Sequence, residues 1–107
     1  VVDRTDSLEA LLARGPDSAM LRFTLATGYF DRGELERALL HAEAALALDA
    51  DYSAAWKLLG KIQTAHGDAH KAAASYRQGI AVAERRGDLQ AAKEMRVFLR
   101  RLEAAKE

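Results

Sequence analysis

By spacing alone, His66 and His70 are the pair best suited to chemistry. Two imidazoles four residues apart on one helix share a face and can close on one metal ion. Gly67 and Asp68 stand between them and break a helix there, so the rings need not converge, and no third ligand is suggested. His41 lies among small residues with no Ser, Cys or carboxylate arranged for a triad. The chain has no cysteine, which removes a thiolate nucleophile, a disulfide and a Cys-ligated zinc. Gly33, Gly67 and Gly87 are isolated breakers and do not form a phosphate-cradling loop. The expectation is a protein that is not an enzyme and takes no cofactor or metal. A metal protein built on His66 and His70 is the remotest reading kept open.

What remains able to act is a set of exposed cations and aromatics, and their use depends on the elements that carry them. At 107 residues the chain suffices for one domain, and 50% apolar with 30% charged residues is a globular composition. Alanine and leucine dominate the apolar share, with a single proline, and both favour helix by intrinsic propensity. No apolar run approaches the roughly 20 residues needed to span a bilayer.

The chain also repeats itself at an offset of 34 residues. Leu25 maps to Leu59, Gly33 to Gly67, Ala38 to Ala72, Leu46 to Ile80 and Leu48 to Val82, while Ala26 maps to Gly60, small onto small. Each copy reads as helix, glycine break, helix. Ser53 is a candidate N-cap, Ala55, Leu58, Leu59 and Ile62 share a face, Gly67 ends the helix and Asp68 caps the next. So short a turn forces close packing, which predicts Ala26 facing Ala38 and Gly60 facing Ala72. Six helices are expected, near 5–14, 19–32, 35–48, 53–66, 69–85 and 88–104.

Trp56, Leu59, Gly60, Gly67, Ala72, Tyr76 and Gly79 resemble the tetratricopeptide-repeat pattern, and Leu25, Ala26, Tyr29, Gly33, Ala38 and Ala45 fit it in the first copy. Arg22 stands where the tryptophan is expected, and Gln63 replaces the first-helix tyrosine of the second copy. The resemblance implies an all-α, right-handed solenoid of antiparallel helical hairpins in a single domain. It divides into residues 5–18 as an N-terminal half-repeat helix, 19–52 and 53–86 as two repeats, and 87–107 as a C-terminal solvating helix. It also implies a scaffold or adaptor that binds a protein or peptide.

In such a solenoid the first helix of each repeat lines the concave wall. Met20, Phe23, Thr27 and Phe30 form one stripe there, continued in the second copy by Ala54, Lys57, Lys61 and Thr64. The expected peptide-binding residues are therefore Met20, Phe23, Thr27, Phe30, Lys57 and Lys61, and the expected partner is acidic with an apolar anchor. Chaperone-binding members of the family clamp a C-terminal carboxylate across three repeats. Here Thr27 and Lys61 stand where that clamp wants asparagine, so a complete clamp is not expected. Arg22 is expected to run out into solvent.

Formal net charge is zero, unevenly spread: residues 1–51 carry 10 acidic and 5 basic side chains, residues 52–83 carry 1 and 4. The basic last helix is interleaved with Glu94, Glu103 and Glu107, which argues against a nucleic-acid surface. Leu8, Leu11 and Leu12 leave the orphan N-terminal helix with an open apolar flank, so homo-oligomerisation is the alternative function. A cysteine-free chain fits a reducing compartment, and a cytoplasmic protein is expected. The absent initiator methionine leaves room for a processed leader.

Overall fold

Three side chains set where helices begin. Ser18 accepts a hydrogen bond from the Leu21 amide at 3.1 Å, Asp68 from Lys71 at 3.1 Å and Asp88 from Ala91 at 3.3 Å, each satisfying an otherwise unpaired first-turn donor. The computed structural model describes residues 4–105 and shows six helices there: α1 (Arg4–Arg14), α2 (Ala19–Asp31), α3 (Leu35–Leu48), α4 (Ser53–Ala65), α5 (Ala69–Arg86) and α6 (Leu89–Ala105). The turns between α2 and α3 and between α4 and α5 use glycine at positive φ, +75° at Gly33 and +87° at Gly67. An L-residue there would be strained, which is why the 34-residue match keeps glycine at both sites. Ser53 is not the cap expected of it. It is the first residue of α4, behind Tyr52, and its hydroxyl donates to Asp88 Oδ2 at 3.0 Å, tying the start of α4 to the start of α6.

Alanine rows let the hairpins close. Ala38, Ala42 and Ala45 on α3 are fully buried, as are Leu25 and Ala26 on α2. A second cluster holds Ala72, Ala73, Tyr76, Ala83, Ala92 and Met95, and Trp56 packs against both clusters. A Cβ on Gly60 would lie 2.4 Å from the Tyr76 ring, so the glycine makes room for the aromatic. Gly79 does the same for Met95 and the Trp56 Cβ. Gln63, standing where the family pattern has tyrosine, accepts from the Ser75 hydroxyl at 2.6 Å and leaves neither buried polar group unpaired.

Helices α2, α4 and α6 touch along their row, whereas α3 and α5 do not meet. Rows of unequal spacing curve the stack, with α2, α4 and α6 on the inside. The extents are 45 × 28 × 19 Å and the radius of gyration 14.1 Å, somewhat above the about 13 Å expected of a compact domain this size. That is the shape of hairpins stacked along one axis. Among the described residues no helix is long and apolar enough to cross a membrane.

Candidate functional site on the inner helices

The inner row carries the six residues expected to meet a ligand, and they have unequal surroundings. Met20 is 71% exposed at the start of α2. Phe23, half-buried one turn on, lies with its ring centroid 5.0 Å from that of Tyr52, tilted by 34°. Thr27 donates its hydroxyl to the Phe23 carbonyl at 3.0 Å, so its one donor is used inside α2 and the oxygen can act toward a ligand only as an acceptor. Phe30 is half-buried, and the exposed Lys61 ammonium lies 6.0 Å from its ring centroid, within cation–π range. Lys57 is ion-paired with Glu94 of α6 at 3.4 Å.

These positions divide by their surroundings. Lys61 with Phe30 forms a cation beside an aromatic plate that crosses from repeat to repeat. Phe23 with Tyr52 forms a second plate at the other end of α2. Between α1 and α2 a cavity of about 430 Å³ opens, lined by Phe23, Thr24, Thr27 and Gly28 on one side and Thr5 and Leu8 on the other. Lys57 is not a free cation: an acidic ligand reaching it competes with Glu94.

Several contacts were not foreseen. Glu94 and Tyr52 belong to the surroundings of the inner wall, but neither sits on the repeat positions that define the stripe. Arg22 does not run out into solvent; it chelates Asp17 through three bonds of 2.8 to 3.0 Å, and its Nη1 lies 3.1 Å from His41 Nδ1. His41, for which no triad arrangement was expected, has Glu9 Oε1 at 3.1 Å from Nε2. One signal was available. Arg22 replaces the repeat tryptophan and His41 interrupts the small-residue row of α3, two departures on facing helices.

The residues expected to hold the repeat are placed consistently with packing. Leu25, Ala26, Tyr29, Ala38, Leu59, Gly60, Ala72 and Tyr76 are buried, while Trp56 is half-buried and donates Nε1–H to the Ala50 carbonyl at 2.8 Å. His66 closes α4 and His70 lies in the first turn of α5. Among the described residues no three His, Cys, Asp or Glu side chains gather as a metal site would require.

No family model matches the chain. A TPR repeat-containing protein of Pseudomonas aeruginosa is 50% identical over 101 residues, 94% of this chain and 96% of that protein. The solution structure of a Bordetella parapertussis protein aligns with a TM-score of 0.87 at 45% identity, covering 98% of this chain and 91% of that one. A tetratricopeptide-repeat domain protein of Salinibacter ruber aligns with a TM-score of 0.77 at 26% identity, over 85% of this chain and 92% of its own. With its period, its six-helix stack and a full-length relative at half identity, this chain belongs to the tetratricopeptide-repeat family.

Proposed function

We propose that this protein is a non-enzymatic scaffold that holds an acidic segment of another protein against the inner row of helices. Members of the family generally mediate protein–protein interaction. The observation that carries the reading for this chain is Lys61 standing exposed at 6.0 Å from the Phe30 ring, on the inner wall. A carboxylate directed at Lys61 would leave the Phe30 face for an apolar neighbour of that carboxylate. Phe23, one more pair of turns along α2, offers a second apolar landing beside the cavity under α1. An extended or helical peptide with an acidic group and an apolar anchor matches this order.

The test is peptide binding by calorimetry to wild type and to a triple variant, Phe23→Ala, Lys57→Glu and Lys61→Glu. Loss of a packed aromatic anchor alone costs about 2 kcal/mol at a binding hot spot. The expected result is therefore a fall in affinity of more than tenfold, with wild-type binding weakening as salt is raised. Equal affinity for both proteins rules the inner wall out as the site.

A second reading, self-assembly through α1, is favoured by one observation: Leu11 is 49% exposed on α1. Sedimentation equilibrium across a hundredfold concentration range separates it. A dimer lost on Leu11→Glu supports it, and a single-chain mass at all concentrations removes it.

A further inference from the structure

The groove between α4 and α6 changes character along its length. Near the start of the two helices Lys57 of α4 and Glu94 of α6 bridge it at 3.4 Å. Toward their C-terminal turns it opens into a cavity of about 330 Å³, lined by Thr64, Tyr76, Phe98, Arg101, Leu102 and Ala105. Tyr76, 2% exposed, forms the floor, its ring centroid 5.6 Å from that of Phe98. Thr64 donates its hydroxyl to the Gly60 carbonyl at 2.8 Å, so that donor is used within α4. The lining is mostly aromatic and aliphatic, which favours an apolar side chain over a polar one. At the small end of ligand pockets, the space suits one large side chain.

Both sides of the cavity carry a cation over an aromatic ring. Toward α2, Lys61 Nζ lies 6.0 Å from the Phe30 centroid; on α6, the Arg101 guanidinium carbon lies 5.8 Å from the Phe98 centroid. Both cations are exposed, and among the described residues neither is ion-paired with a carboxylate. The acidic groups of this end stand elsewhere: Glu103 pairs with Arg77 at 3.2 Å, and Asp31 lines the cavity under α1. Across the wall the order is therefore cation, apolar cavity, cation.

We propose that the last helix is part of the binding wall: the α4–α6 cavity takes a large apolar side chain of an acidic segment of another protein, and Lys61 and Arg101 hold the carboxylates flanking it. This rests on the inner-wall reading above, and it gives that wall a third helix and a defined anchor. Charge decides the class of partner. A basic segment would set like charges against both cations, whereas an acidic one gives each a partner. Spacing follows from the backbone. In an extended segment alternate side chains share a face, and three of them span about 13 Å. Neighbouring helix axes lie about 8–10 Å apart and the cations stand on the outer sides of the cavity, so acid, apolar and acid at alternate residues fit.

The probe is a synthetic peptide, acetyl-Gly-Glu-Ser-Phe-Ser-Glu-Gly-amide, titrated into the isotope-labelled full-length protein and followed by amide chemical shifts. Saturable shifts are expected at Thr64, Phe98, Leu102 and Ala105. Replacing the peptide's Phe by Ala, or both its Glu by Gln, is expected to weaken binding by about tenfold or more. So are Arg101→Glu and Ala105→Trp, which change exposed rim positions and leave the buried floor intact. Binding that ignores both the Glu-to-Gln exchange and Arg101→Glu overturns the acidic occupant. Shifts at the same residues on simple dilution of the free protein place a second copy there and overturn the proposal too. Shifts confined to Phe23, Thr27 and the α1 end overturn it while leaving the inner wall as the binding surface. No saturable shift at millimolar peptide overturns this anchor as well, and the wider reading then stands or falls by the triple variant.

Discussion

Gly60 shows how a single residue type can be legible while its reason is not. Small onto small at Ala26 and Gly60 marks a close approach, and the neighbour nearest the space at Gly60 is the Tyr76 ring. Gly60→Ala places a methyl inside that ring's volume at a fully packed site and is expected to cost about 1 to 3 kcal/mol, read as a shift in the denaturant midpoint. Ile62→Ala, which empties a side chain with no exposed surface, is expected to cost about 2 to 5 kcal/mol by the same measurement. The binding-wall residues divide in the same way. Period and helical spacing locate Phe23, Phe30, Lys57 and Lys61 on one wall, but Lys57 is engaged by Glu94 from a helix outside the repeated pair. Spacing reports which face a residue shares; it does not report who stands opposite when the opposite helix lies 37 residues away. His41 was opaque for the same reason, since its partners come from three other parts of the chain. Its pH consequence has a definite sign. A histidine held below its ordinary range in the folded state contributes stability that is complete above about pH 6.5 and is lost as pH falls through the folded value. Chemical denaturation of wild type should therefore show stability declining below about pH 6.5, with less decline in His41→Gln.

At the scale of elements, all six helices were foreseen within one or two residues at most ends, because glycine breaks, capping side chains and the 3.6-residue apolar period agree. The cap at Ser53 was the exception, and its hydroxyl turned to Asp88, a contact between helices that local capping logic does not contain. Helix α1 is the element whose environment differs most from its repeat counterparts. The equivalents of its Leu8 and Leu11 in the second helix of the first repeat are Ala42 and Ala45, fully buried against α2. In α1, by contrast, Leu11 is 49% exposed. Gly28 is the position where α2 admits α1, because a Cβ there would meet the Thr5 hydroxyl at 2.6 Å. Gly28→Leu should push α1 away and leave the rest of the stack in place. Hydrogen exchange should then quicken in α1 alone, and uniform quickening along the chain would contradict that local attachment.

The whole molecule behaves as a short one-dimensional stack, in which each hairpin is stabilised mainly by its neighbours. Helices α4 and α5 have packed helices on both sides, whereas among the described residues the α1 backbone closely approaches α2 alone. Native-state exchange should accordingly be slowest in α4 and α5 and fastest in α1. The curvature that turns α2, α4 and α6 inward follows from the same pattern, since these helices meet along their row and α3 and α5 do not. The repeat made that architecture readable at the outset; it says nothing of the segment the inner wall holds, which depends on the side chains that vary from repeat to repeat. The most direct measurement is to select peptides on the immobilised full-length protein and map the best binder by amide chemical-shift perturbation. The expected peptide carries an acidic residue beside an apolar anchor, and its perturbations centre on Met20, Phe23, Thr27, Phe30, Lys57 and Lys61. A binder whose perturbations fall on the outer helices α3 and α5, or one held as tightly by the Phe23→Ala, Lys57→Glu, Lys61→Glu variant, would contradict the inner wall as the binding surface.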